Sequence, residues 1–240
     1  MAKRFDTLLV IPTYNEAANI PQLLRQIGTQ ALPLDLLIID DNSPDGTAQL
    51  AETFSNEFPL KVIRRSGKLG VGSAHKEGFR YAIQNNYAAV MTMDADFAHS
   101  PEYLREMLSK GSTSDVVVGS RYLKGGGLPG WSLPRRLLTY AAHRLTVHLL
   151  GIPYDCTGGF RHYRTSLLRQ IHFDGVQSEG NAFLIELIFQ ISRRGFSISQ
   201  IPIVINSRRL GESKISRTEI LRALKTVCRL CLGRMAGNRS

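Results

Sequence analysis

Residues 88–101, AAVMTMDADFAHSP, carry an apolar run that ends in two carboxylates one residue apart, Asp94 and Asp96. Carboxylates repel one another and resist burial, so a close pair calls for a cation. On an extended strand, residues two apart point to the same side, which predicts that both side chains face one point. No cluster of His and Cys lies nearby in the sequence, so a hard divalent ion, Mg²⁺ or Mn²⁺, suits the pair best. Such an ion commonly sits on one or two carboxylates and completes its shell with water and substrate phosphates. A lone D-x-D also suits a solvated turn, and only its surroundings can decide. Two positions further on stands Ala98, which cannot ligate a metal, followed by His99, either a substitute ligand or an ordinary loop histidine.

The segments around this pair have the pattern of a parallel α/β sheet. Short runs apolar on both faces, TLLVIP (7–12), LLIID (36–40), KVIR (61–64), AVMTMD (89–94) and DVVVG (115–119), alternate with helical periodicities. Ser100 and Pro101 predict an N-cap and first-turn proline for the helix that carries Leu104, Met107 and Leu108. Sheets of this kind bind ligands beyond the carboxyl ends of their strands. Polar residues gather there: Tyr14, Asn15 and Glu16 after the first strand, Asp40 and Asp41 after the second, Asp94 and Asp96 after the fourth, Arg121 after the fifth. Four segments delivering chemistry to one edge predict a site, and with it a metal–diphosphate role for Asp94 and Asp96.

Beyond residue 124 the alternation loosens. A glycine-rich KGGGLPGW loop precedes a helix from Pro134 to about Leu150, then a turn and strand in DCTGGFRHYR. A buried helix ending at Gly195 and a strand in ISQIPIVI follow. The tail opens with a capping box, Ser216 with Glu219, and has one apolar stripe of Ile220, Leu224, Val227, Cys228 and Cys231. No repeat or linker divides the chain. It is expected to be one unit over 1–240, with a regular α/β part (1–123), a less regular part (124–215) and an amphipathic helix (216–240).

Lys and Arg outnumber Asp and Glu by 30 to 20, a net charge of +10, which favours an anionic partner without naming it. The three cysteines cannot make a disulfide framework, and the CRLC pair lacks the second pair a zinc site needs. A reducing, cytoplasmic setting follows. The opening apolar run is too short for a signal peptide, and no stretch approaches a membrane span. The tail stripe, flanked by Arg222, Lys225 and Arg229, suits either anionic lipid or packing on the domain.

IPTYNE, IIDDNSPDG, MDADFAHSP, VVGSRY, TGGFRHYR and RRLGESK, in that order over residues 7–215, resemble the motif series of family-two inverting glycosyltransferases. The resemblance is closest to the polyprenyl (dolichyl) phosphate mannose synthases. It implies a GT-A fold, Rossmann-like, with a mostly parallel sheet flanked by helices and acceptor-side helices towards the C-terminus. It implies a GDP-mannose donor, a polyprenyl monophosphate acceptor and a divalent metal. By the same resemblance Pro12, Tyr14, Glu16, Ile39 and Asp41 hold the nucleoside. Asp94, Ala95 and Asp96 meet ribose, diphosphate and metal, while Arg121, Arg208 and Lys214 contact phosphate groups. Asp96, Arg121, Arg208 and Lys214 are thereby the expected catalytic set. Relatives either carry C-terminal membrane spans or borrow a membrane subunit, so peripheral attachment or an anchored partner is implied here.

A phosphate monoester has a second pKa near ~6 and is already an anionic nucleophile at neutral pH, so no strong base is required. Glu179 and Glu186 are weak candidates for one, the first in a turn and the second in an apolar run. A same-fold transferase using UDP-glucose is the nearest rival. Processive synthases are disfavoured by the missing Q-x-x-R-W signature. A nucleic-acid-binding module is disfavoured because the basic residues are scattered, and a Rossmann oxidoreductase because GVGSAH lacks the third glycine.

Overall fold

The computed structural model describes residues 4–206 and 217–237. Its strands are β1 (Thr7–Thr13), β2 (Leu34–Asp40), β3 (Leu60–Arg64), β4 (Ala89–Thr92), β5 (Val116–Ser120), β6 (Arg161–Arg164) and β7 (Ile198–Pro202). They form one sheet in the order β3-β2-β1-β4-β6-β5-β7. Every pairing is parallel except those of β6, which runs antiparallel between β4 and β5. The expected α/β sheet is thus present, and the DCTGGFRHYR strand is the one that reverses direction.

The helices are α1 (Ile20–Thr29), α2 (Thr47–Glu52), α3 (Val71–Gln84), α4 (Leu104–Gly111), α5 (Leu133–Leu150), α6 (Thr165–Gln170), α7 (Ala182–Arg193) and α8 (Arg217–Gly237). Two apolar layers flank the sheet. One gathers Leu8, Val10, Leu37 and Ile39 with α3 and α7; the other gathers Leu9, Ile11, Ile38 and Met91 with α1 and α4. All seven residues of β2 are buried, as a strand covered on both faces must be. α1 buries Ile20, Leu23, Leu24 and Ile27, one stripe at helical spacing, each side chain contributing about 1.5–3 kcal/mol.

Two expectations need correction. The fourth strand stops at Thr92, so Asp94 and Asp96 stand in the loop beyond it, and strand alternation does not orient them. The loop is instead folded by Asp96 Oδ1, which accepts the Ala98 amide at 3.0 Å, and Phe97 takes a left-handed φ of 60°. That conformation is costly for a bulky residue, by roughly 1–3 kcal/mol, and it is held by burying the Phe97 ring.

The tail helix is divided differently from the expected single stripe. Val227 and Leu230 are buried and Cys231 is half-buried, whereas Ile220, Leu224 and Cys228 are exposed. The inward face follows the packing of α8 on α5 and α7. Ser216 lies outside the described residues. With it lies the expected capping box; Glu219 is described, and one of its carboxylate oxygens accepts the Asn181 amide at 3.2 Å, tying α8 to the start of α7.

Candidate active site at the carboxyl edge of the sheet

The loops after β1 and β2 form one hydrogen-bonded unit. Asp40, last in β2, accepts from the Thr13 hydroxyl at 2.8 Å and from the Ser43 amide at 2.8 Å. Ser43 and Thr47 hydroxyls in turn accept the Asn15 and Glu16 amides, each at 2.9 Å. Asp45 accepts from Thr47 and from the Ala17 amide, and these bonds outweigh burial to lower its pKa. Asp40 and Asp45 therefore build the loops, and Glu16, itself buried, accepts the Asn19 side-chain amide at 2.7 Å. Tyr14 and Pro12 are half-buried on the edge, and the ammonium of Lys68 sits over the Tyr14 ring at 4.1 Å.

Asp41 is not an open acceptor. Its Oδ1 is paired with Arg65 at 2.5 Å and its Oδ2 accepts the Gly70 amide at 2.7 Å. Arg65 also meets Glu77 at 3.2 Å, so the pocket floor after β2 and β3 is a buried carboxylate–guanidinium pair. Ile39 is wholly buried in the core beneath this floor, opposite Pro12 in the β1–β2 register. Arg65 was missed in the sequence, although the rule that flagged Arg121 applies equally to the residue that follows β3.

Asp94 and Asp96 stand at the middle of the edge, where β4 lies beside β1. The Asp94 side chain is 41% exposed and Asp96 is almost wholly buried. Ala95, between them, belongs to the core. His99 lies behind Asp94: Nδ1 accepts the Asp94 amide at 3.4 Å, and the ring stacks on Phe160. It is 2% exposed, which makes it a support for the loop. Gly159 faces Asp94 from the turn before β6, where a Cβ would come within 3.1 Å of Asp94 Oδ1. No group of three or more His, Cys, Asp or Glu converges among the described residues. Two hard carboxylates with glycine clearance beside one of them fit a divalent ion that takes its other ligands from water and phosphate oxygens.

Arg121 follows β5 and is nearly buried. Its Nε donates to Asp155 Oδ2 at 2.8 Å and its Nη2 to Oδ1 at 3.5 Å. Asp155 is fully buried; burial raises its pKa, but the Arg121 guanidinium and amide donors outweigh that and lower it. Its place in an otherwise apolar and glycine-rich stretch gave no separate sequence signal. Arg208 and Lys214 lie outside the described residues. Glu186 is held by Arg229 at 2.5 Å and by the Ser178 hydroxyl at 2.6 Å, and Glu179 meets Arg222 at 3.6 Å. Both are thus engaged in pinning or flanking α8.

A mostly parallel sheet with one antiparallel strand, two carboxylates beyond β4 and polar loops after β1 and β2 is the architecture of a GT-A glycosyltransferase. Its shape matches glucosyl-3-phosphoglycerate synthase from Mycobacterium tuberculosis, solved with Mn²⁺, uridine diphosphate and glucosyl-3-phosphoglycerate. The TM-score is 0.69 at 20% identity, over 95% of this chain and 80% of that one. S. aureus TarS residues 1–349, solved with UDP, matches with a TM-score of 0.62 at 18% identity, over 94% of this chain and 65% of that one.

The chain belongs to glycosyl transferase family 2, whose model matches residues 8–172, and within it to the polyprenyl-phosphate mannose synthases. It is 37% identical to an undecaprenyl-phosphate mannosyltransferase from Micrococcus luteus, over 92% of each chain. It is 36% identical to a polyprenol monophosphomannose synthase from Mycolicibacterium smegmatis, over 91% of this chain and 84% of that one.

Proposed function

We propose that the chain moves mannose from GDP-mannose to a polyprenyl monophosphate, with inversion and with Mg²⁺ or Mn²⁺ bound at Asp94 and Asp96. The observation that carries this is the placement, on one sheet edge, of the Asp94/Asp96 loop and Arg121 with the hydrogen-bonded loops after β1 and β2 and the Asp41–Arg65 pair. Likeness over about nine-tenths of this chain to an undecaprenyl-phosphate mannosyltransferase and a polyprenol monophosphomannose synthase supports the sugar and the lipid phosphate.

In this assignment Pro12, Tyr14 and Glu16 line the nucleoside, over a floor made by Ile39 and the Asp41–Arg65 pair. A divalent ion, when bound, supplies positive charge to the departing diphosphate. Asp94 and Asp96 hold that ion, with Ala95 setting their spacing. Arg121, Arg208 and Lys214 contact phosphate groups, for which guanidinium forks and an ammonium are suited. The acceptor phosphate attacks as an anion, so the protein's task is alignment and not deprotonation. The engagement of Glu186 by Arg229 agrees with a reaction lacking a carboxylate base. Displacement passes through an oxocarbenium-like state and gives the inverted product.

Nine of the eleven large exposed apolar side chains among the described residues lie on α5 and α8, among them Leu133, Leu137, Leu138, Leu221 and Leu232. α5 adds Arg135, Arg136 and Arg144 and contains no acidic residue. No helix among the described residues is long and apolar enough to cross a membrane. We therefore place this paired face on the anionic cytoplasmic leaflet, where the lipid acceptor is presented; a membrane-anchored partner subunit is the other source of attachment.

Transfer assayed over a panel of GDP- and UDP-sugars, with a polyprenyl monophosphate and Mg²⁺, tests the reading. GDP-mannose is expected to be the productive donor. Preferential turnover of UDP-glucose would reassign the donor, and absence of any lipid-linked sugar would overturn the function.

A further inference from the structure

The turn between α5 and β6, residues 155–160, touches two charged groups of the edge at once. Asp155, which opens it, is fully buried and saturated with donors. Oδ1 accepts the Thr157 amide, the Thr157 hydroxyl and the Gly158 amide, each at 3.2 Å. Oδ2 accepts Arg121 Nε at 2.8 Å. A carboxylate so enclosed cannot reach a substrate and can act only through its partners. The next two glycines bring backbone against the neighbouring charges: a Cβ at Gly158 would stand 3.2 Å from Arg121 Nη2, and one at Gly159 would stand 3.1 Å from Asp94 Oδ1.

The turn is itself anchored. Thr92 Oγ1, at the end of β4, donates to the Gly159 carbonyl at 2.6 Å. Arg161 lies fully buried beneath it and donates from Nη2 to the Cys156 carbonyl at 2.8 Å. Arg121 has no hydrogen-bond acceptor other than Asp155 among the described residues. Its guanidinium is held along the Nε–Nη2 side, and Nη1 has no acceptor among the described residues.

We propose that Asp155 is a positioning residue for Arg121, fixing the plane of its guanidinium so that Nη1 is delivered to a phosphate of the reacting pair. Asp155 seats the arginine from behind, and the turn it nucleates sets the spacing between that arginine and Asp94. The inference rests on the proposed function for its substrates alone, because the seat exists in the protein without them.

The test compares the wild-type chain with Asp155→Asn, Arg121→Ala, Arg121→Lys and the double variant Asp155→Asn/Arg121→Ala. Asparagine keeps an acceptor for the Thr157 and Gly158 amides but presents an amide instead of a carboxylate to Nε. kcat is expected to fall about 100-fold in Asp155→Asn, with the donor KM little changed, as misplacement of a group by about an ångström does. The double variant should lose no more than Arg121→Ala, because both changes remove one unit. Arg121→Lys keeps the charge but cannot occupy a two-point seat, and should lose at least about tenfold. Losses that multiply in the double variant, or wild-type kcat in Arg121→Lys, would overturn the proposal.

A second readout needs no substrate. In ¹⁵N spectra of the free protein, the Arg121 Nε–H should give a downfield, exchange-protected resonance that disappears in Asp155→Asn. An unchanged resonance in a folded Asp155→Asn refutes the seat. If the wild-type chain transfers no mannose, the function proposal fails, while this resonance still decides the positioning role.

Discussion

Gly159→Ala probes the metal loop with one methyl group. The added Cβ would stand 3.1 Å from Asp94 Oδ1, where ordinary contact begins at 3.4 Å, so a shift of about 0.3 Å is required. Gly159 does not have a left-handed φ, so alanine brings no backbone strain, and restriction of the unfolded chain returns about 0.4–1 kcal/mol. The Asp94 side chain is 41% exposed, whereas the turn is anchored by Thr92 and Arg161, so the side chain gives way before the turn does. Stability should therefore stay within about 1 kcal/mol of the parent. Catalysis should not. A misplacement of 1 Å costs about 100-fold, so 0.3–0.5 Å corresponds to about 4- to 10-fold, or about 0.8–1.4 kcal/mol of barrier. The assay is kcat as a function of Mg²⁺ concentration, with thermal unfolding alongside. Gly175→Ala, where nothing lies within 4 Å of the new atom, is the control: it should match the parent in kcat and Mg²⁺ activation and gain the same small unfolded-chain term. Wild-type kcat and unchanged Mg²⁺ activation in Gly159→Ala would show that Asp94 is not placed for the chemistry.

Asp96→Ala should abolish turnover by at least about 100-fold while leaving the fold cooperative, and EDTA should do the same to the parent reversibly on adding Mg²⁺ or Mn²⁺; turnover in EDTA would contradict the metal assignment. His75 is wholly buried without a hydrogen-bond partner among the described residues, and burial, with Arg161 nearby, lowers its pKa to about 3. The unfolded chain takes up this proton below about pH 6.5 and the folded one does not, so stability falls on acidification, by about 2 kcal/mol between pH 6.5 and 5. His75→Phe, packed on Phe79 and Phe183, should remove that part of the slope in denaturant titrations at the two pH values, and an unaltered slope would assign it elsewhere. Leu137→Ser with Leu221→Ser should reduce flotation with anionic liposomes several-fold without changing the unfolding midpoint; equal flotation would remove α5 and α8 from the membrane face.

The parallel sheet was legible because each strand is apolar on both faces and closed by turn residues, as in LLIID before DNSPDG. The edge was legible for the same reason, since polar residues directly after such strands have one place to go. What escaped notice were the partners. Arg65 and Asp155 neutralise Asp41 and Arg121 from positions 24 and 34 residues away, and no local pattern encodes those pairings. An apolar run does not mark where pairing stops, so it cannot give the direction of Asp94 and Asp96; β4 ends at Thr92, where its β1 partner is Val10. Along α8 the stripe was drawn from residue type, yet which apolar residues turn inward depends on α5 and α7. Leu230 is buried and Leu224 exposed although both are leucines on one helix.

The most direct test of the central claim is the product itself. Purified protein, GDP-α-mannose, a polyprenyl monophosphate and Mg²⁺ are incubated together, and the lipid fraction is examined by mass spectrometry and by the one-bond C1–H1 coupling of the sugar. A β-linked mannosyl phosphate, formed only with metal, is the predicted result. An α-linked product would contradict inversion, and the absence of mannosyl lipid would contradict the transferase assignment.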